Sequence, residues 1–373
     1  MTRIYFDNNS TTQLDPRVLM AMLQELKGPA ANPSSVHSFG KEAKKILQNA
    51  RTSIADFFQV NPDEIIFTSG GTESVNLMLR GLPMGHIITT DLEHAAMFKT
   101  LQTLEGKGYT VSYLKPLLWG AITAEQVESA IRKETRAIAL CASNNETGVK
   151  LDLEAVSAIG ARHNIPLLID AVSWIGKEAC DFPPAVSSWA ISGHKFHAPK
   201  GIGALILKKS LKLTPLITGG NQEHQLRAGT ENLTGVIALA EATQILRENQ
   251  AQITNHLLDL RSHFECELLR ALPDLTINGL GPRICNTVNI AFGGCDGESL
   301  LMQLDLAGIA VSLGAACSSG ALEPSRVLTN MGLERKMARS SIRFSFGKFN
   351  TREEVNIALE KITHLVQKMR RWS

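Results

Sequence analysis

The chain has 373 residues, of which 44% are hydrophobic and 20% charged, a composition that excludes a disordered or low-complexity chain. Its 38 basic and 36 acidic side chains leave a net charge of +2, which excludes attachment to nucleic acid or an anionic membrane by bulk charge. At roughly 150 residues per domain the length predicts two domains.

In chain order, residues 64–68 (EIIFT) read as a strand and 72–80 as a helix. Residues 86–90 (HIITT) and 137–141 (AIALC) read as strands before helices at 94–105 and 153–163. Residues 165–169, 188–191 and 203–207 continue the short apolar runs. Such runs alternating with helices predict a mostly parallel, doubly wound sheet covered on both faces. The tail differs. A helical pattern from residue 256 precedes strands at 287–291 and 341–346 and helices at 298–306 and 353–369, which predicts a smaller α+β unit. The expected division is a large domain over 12–255 and a small one over 256–373 joined by residues 1–11.

No run of about 18 apolar residues is present, so no spanning helix is expected. The opening MTRIYFDNNSTT has no apolar signal core, which predicts a cytoplasmic protein. The six cysteines show no CxxC spacing, so they read as reduced thiols rather than a zinc site, and no metal is expected.

In an open parallel sheet, ligands sit beyond the carboxyl ends of the strands. The residues just past each strand are SGGTES (69–74), DLEH (91–94), ASNNETG (142–148), Asp170 and SGHK (192–195). Five polar groups thus share one rim. SGGTES reads either as a capping box or as a phosphate seat at a helix N-terminus. There is no GxxxxGK[ST], and no GxGxxG follows a strand, which argues against a nucleoside triphosphate or a dinucleotide. Lys195 can form a Schiff base with an aldehyde cofactor. Asp170 can hold a pyridine nitrogen protonated, and His94 can stack on the ring or move protons. Together these groups suit a pyridoxal 5'-phosphate site. Cys317 lies in a segment of small residues (311–325) that reads as a mobile surface loop, where a thiol is either inert or reactive. Arg343 reads either as a surface ion pair or as a clamp on a substrate carboxylate.

The segments YFDNNSTTQLDPRV, ANPSSVHSFG, FTSGGTES, EHAA, SNNETG, SGHKFHAPKGIGAL, RAGTEN, GAACSSGALEPS and ARSSIRFSFG follow one another along the chain. In this order they resemble the group I cysteine desulfurases of the class V aminotransferase superfamily. The resemblance implies the fold type I of pyridoxal phosphate-dependent transferases. It implies that Lys195 carries the cofactor and His94 acts as acid/base. Asp170 would meet the pyridine nitrogen. Thr72, Ser192 and His194 would hold the phosphate, with Thr230 reaching in from the other subunit of a homodimer, and Gly71 would be a further cofactor-binding position. Asn145 would bind cofactor and substrate, Arg343 the substrate carboxylate, and Cys317 would be the nucleophile that takes sulfur from L-cysteine, leaving alanine and a persulfide. The persulfide would pass to an acceptor such as an iron–sulfur scaffold or a tRNA thiolation protein. Two positions depart from the family pattern: Ser173, at a cofactor-binding position, replaces the usual glutamine, and Asn221 replaces the usual histidine. Related readings are a selenocysteine lyase, another class V enzyme, or a cofactor-binding partner protein weakened in catalysis.

Overall fold

A computed structural model describes residues 3–314 and 323–371. Its strands are β1 (Ile4–Tyr5), β2 (Ile65–Thr68), β3 (His86–Thr90), β4 (Thr110–Leu114), β5 (Thr135–Cys141), β6 (Leu167–Asp170), β7 (Val186–Ser192), β8 (Gly203–Leu207), β9 (Leu275–Asn278), β10 (Thr287–Phe292), β11 (Ile309–Ala310) and β12 (Ser341–Ser345). Seven of them form one sheet in the order β2-β8-β7-β6-β5-β3-β4. Only β8 runs against its neighbours; the pairs from β7 to β4 are all parallel.

The continuous apolar runs arise because both faces of this sheet are covered. Side chains alternate strictly between two cores. Ile65, Phe67, Ile138, Leu140, Leu167 and Ile169 face one, while Ile66, Ala137, Ala139 and Leu168 face the other. The edge strand β4 escaped the sequence reading. Its five residues (TVSYL) are all at least partly exposed, so no apolar run announces it.

The C-terminal unit holds the antiparallel sheet β12-β10-β9. Strand β1 pairs with β11, which places the N-terminal residues against this unit. A cluster of Phe6, Phe264, Phe344 and Phe346 rings packs beneath it. The helix expected from residue 256 begins earlier and runs unbroken over Leu233–Ala271. The polar stretch 247–255 obscured it, although buried Val236, Leu239, Leu246, Leu257 and Phe264 lie on both sides of that stretch. Residues 255 and 256 therefore fall inside one helix, and one continuous core spans both units.

The outer edge of β2 is closed by a buried ion pair. The Arg51 guanidinium, on the helix Ser38–Phe58, meets Glu223 Oε1 at 2.6 Å, with the two side chains 4% and 2% exposed. Glu223 Oε2 accepts from Phe67 N–H at 2.8 Å, and Arg51 donates to the Ile65 carbonyl. The guanidinium also stacks 4.7 Å from the centre of the Phe67 ring. Two edge groups of β2 are thus satisfied by side chains, which blocks strand addition there. Holding this pair requires left-handed backbone at Glu223, His224 and Gln225, a local cost that the pair offsets.

Removing one partner leaves a buried charge without compensation. Glu223→Gln is expected to lower the unfolding free energy by about 3–5 kcal/mol in denaturant titration. Arg51→Met/Glu223→Leu together should cost clearly less than the sum of the single changes.

Candidate active site

The rim groups converge on one cavity of about 280 Å³. Its lining includes Gly71 and Thr72 past β2, His94 past β3, Asn145 past β5, Asp170 ending β6 with Ser173 beyond it, and Ser192 ending β7 with His194 and Lys195 beyond it. Arg343 of β12 enters from the C-terminal unit. Every catalytic, cofactor-binding or substrate-binding position named from the sequence therefore lines this cavity except two. Thr230 is exposed, away from the lining, and Cys317 lies outside the described residues.

One wall is the N-terminus of the helix Gly71–Arg80. Gly70 at its cap supplies no side-chain hydrogen bond. The capping box is not formed: the Glu73 carboxylate instead accepts from Ser69 N–H, one residue before the cap, at 2.7 Å and pairs with Arg227 at 3.0 Å. The first amides of the helix thus face the cavity without a side-chain cap, a setting that favours an anion. Two glycines permit this approach. A Cβ on Gly71 would lie 2.5 Å from Val172 Cγ2, and one on Gly203 would lie 2.5 Å from the Ile191 carbonyl and 2.7 Å from Gly70 Cα.

Lys195 ends a short 3-10 turn, Gly193–Lys195, and its Nζ donates to the carbonyls of Asn9 and Ser10, the latter at 2.9 Å. The N-terminal segment is therefore part of the site. Asn9 and Ser10 lie in the YFDNNSTT segment without a role expected from sequence. Their signal is a polar cluster directly after a short strand.

Asp170 is buried, and its Oδ1 accepts from Val172 N–H at 3.0 Å. Burial raises its pKa, while His94, the Val172 amide and Lys195 pull it back. Cys141 stands beside Asp170 in register and lines the same cavity, so it is not merely a core thiol. Burial, together with the charges of Glu93 and Asp170, holds it firmly as the neutral thiol. Glu93 lies buried behind, accepting from Thr90 Oγ1 at 2.7 Å, and burial pushes its pKa up to about 8. His94 caps the helix Ala95–Glu105, its Nδ1 accepting from Ala96 N–H at 3.1 Å, so the ring proton sits on Nε2. His194 is held through Nδ1 to Thr11 Oγ1 at 3.1 Å. Burial, with Lys195, Lys200 and Lys177 nearby, lowers its pKa to about 4.

Arg343 is 2% exposed. It bonds Asp7 Oδ1 at 2.7 Å, Ser10 Oγ at 3.0 Å and the Asn145 carbonyl at 3.0 Å, and its buried Nε has no partner among the described residues. The surface ion pair weighed from the sequence is thus a buried one, and the guanidinium stands oriented at the cavity wall. Ser143, also in the lining, has a buried Oγ likewise without a partner among the described residues.

Two histidines make stability fall in acid. His194, at about 4, and buried His197, lowered to about 3, both bind protons more weakly folded than unfolded, where the value is 6.5. Their contribution is fully present above pH 6.5 and is lost as pH falls through 4 and 3. Unfolding free energy should decline across that window, and His194→Gln should flatten the decline in pH-resolved denaturant titrations.

The fold and site can be set beside known proteins. A family model described as aminotransferase class-V matches residues 4–357. The chain is 37% identical over 375 residues to cysteine desulfurase IscS of Dictyoglomus turgidum, covering 98% of this chain and 95% of that one. It is 40% identical to cysteine desulfurase 2 of Trichormus variabilis, covering 99% and 94%. Among solved structures, a NifS-like protein superposes with a TM-score of 0.91 at 34% identity, covering 98% of this chain and all of that one. The structure titled SspA in complex with cysteine superposes at 0.83 with 31% identity, covering 94% of this chain and all of that one.

Proposed function

The chain belongs to the class V aminotransferase family, and within it we propose a pyridoxal phosphate-dependent cysteine desulfurase that moves sulfur from L-cysteine to Cys317. The observation that carries this reading is the convergence of Lys195, Asp170 and an uncapped helix N-terminus on one cavity.

The residues present fit the cofactor. The Gly70–Gly71 approach leaves helix amides for a phosphate, beside Thr72, Ser192 and His194. A neutral His194 serves there as a hydrogen-bonding group. Asp170, the buried acid, would hold the proton on the ring nitrogen. Lys195 would hold the cofactor covalently, with the Asn9 and Ser10 carbonyls orienting its Nζ. When bound, the cofactor supplies an aldehyde for the substrate amine and a ring that takes up electron density.

The remaining work falls to this chain. The Nε2 of His94 holds and moves the proton. Arg343, kept in place by Asp7 and the Asn145 carbonyl, would meet the substrate carboxylate with its guanidinium. Ser173 stands at the cavity wall with a shorter side chain than glutamine, and Asn145 contributes a neutral donor and acceptor. The Cys317 thiolate attacks the substrate sulfur. The C–S bond breaks, an S–S bond forms on Cys317, and the carbon skeleton departs as alanine. Cysteine and enzyme thiol thus become alanine and enzyme persulfide, with no external oxidant needed. The acceptor is a protein of iron–sulfur assembly or tRNA thiolation. A homodimer accords with exposed Thr230 and with the apolar Met20, Leu26, Val36 and Phe39 on the surface. Among the described residues no helix is long and apolar enough to cross a membrane.

Incubation of the cofactor-loaded protein with L-cysteine and a reductant should give alanine and sulfide, and mass spectrometry without reductant should find a persulfide on the Cys317 peptide. Lys195→Ala and Cys317→Ala should each abolish sulfide release. A Cys317→Ala variant active at the parental rate would refute the transfer step.

A further inference from the structure

We propose that Lys177 is a positioning residue for Lys195: its buried ammonium pins the Lys195 main chain and sets a second positive charge behind the reactive amine. This rests on the reading that Lys195 holds the cofactor.

Lys177 lies outside the cavity lining, in the turn that follows β6. It is 3% exposed, which is rare for lysine unless something demands it. Its Nζ donates to the Lys195 carbonyl at 2.6 Å and to the Ile175 carbonyl at 3.2 Å. Among the described residues it makes no ion pair with a carboxylate; the neighbouring Glu178 pairs with Lys150 instead. An ammonium buried against neutral carbonyls alone is costly, and a merely structural hydrogen bond would be served by a neutral side chain.

The placement of Lys177 is enforced from three sides. Its own carbonyl accepts from Thr254 Oγ1 at 2.7 Å, on the long helix, and from Cys285 Sγ at 3.1 Å, ahead of β10. Its amide donates to the Trp174 carbonyl at 3.1 Å. The preceding Gly176 has φ 81° and packs so closely that a Cβ would lie 2.5 Å from Phe196 Cβ, the residue after Lys195. The two turns are thus locked together. Lysine amines are strongly affected by a like charge and by burial. Burial and Lys195 lower the Lys177 pKa to about 7, with the Cys285 thiol opposing. The other titratable groups facing this charge are His194 and His197, both lowered in part by Lys177. A cation here disfavours a proton on the nitrogen that links Lys195 to the cofactor. It also holds the carbonyl from which that side chain departs.

The test uses the cofactor-loaded enzyme and its Lys177→Met and Lys177→Gln variants. The visible absorbance of the cofactor held on Lys195 is titrated with pH. Loss of the charge should raise the midpoint by roughly one pH unit in both variants. Lys177→Gln keeps a donor to the Lys195 carbonyl and should retain cofactor affinity, whereas Lys177→Met should lose about tenfold, consistent with one lost hydrogen bond. Midpoints that coincide with the parental one, with borohydride reduction still placing the cofactor on Lys195, would overturn the proposal and spare the functional reading. Reduction that finds no cofactor on Lys195 in the parental protein would overturn both. Should neither variant fold, Lys177→Arg, which keeps a cation at every accessible pH, decides: its midpoint should lie at or below the parental one, and a midpoint raised by about one pH unit refutes the proposal.

Discussion

Burial of both faces of the seven-stranded sheet is the constraint on which the site depends. Side chains along β5, β6 and β7 have apolar neighbours above and below, so an ionisable group within a strand would be stranded in low dielectric. Such groups collect where the strands end. Asp170 is the last residue of β6, Ser192 the last of β7 and Cys141 the last of β5. Parallel pairing aligns those ends, and the loops after β2 and β3 arrive at the same rim. The cavity is a consequence of this alignment rather than a feature added to it.

The same burial sets the protonation states. A carboxyl such as Glu93 is driven toward its neutral form, and His194 is kept neutral by burial and three lysines. Burial raises Asp170 as well, and there His94, a backbone amide and Lys195 act against the rise. Of these two acids only Asp170 faces the cavity.

The C-terminal unit completes what the sheet begins. It brings Arg343 to the wall through β12, and its contacts with Asp7, Ser10 and Asn145 join three distant stretches of chain. The N-terminal segment is held on one side by the pairing of β1 with β11 and on the other by carbonyls that accept from Lys195. The long helix Leu233–Ala271 runs beneath both units, and through Thr254 it touches the turn of Lys177. Lys195, Arg343 and unit packing therefore share one hydrogen-bonded framework.

Much of this was legible in the amino-acid order because it is local. Apolar runs of strand length, glycines at 70 and 71, and polar residues just past each run depend on near neighbours in the chain, and they located the sheet and most of the rim. The half-exposed β4 left no such run, and the polar stretch 247–255 hid the middle of a helix whose apolar stripe continues on either side. The tertiary structure alone decided contacts between residues far apart in sequence: Asn9 and Ser10 against Lys195, Lys177 behind its carbonyl, and Arg51 with Glu223 on the edge of β2. A lysine or an arginine reads alike whether it faces water or a buried carbonyl. Its role is set by the desolvation and the partners that folding imposes, and neither is encoded by local periodicity.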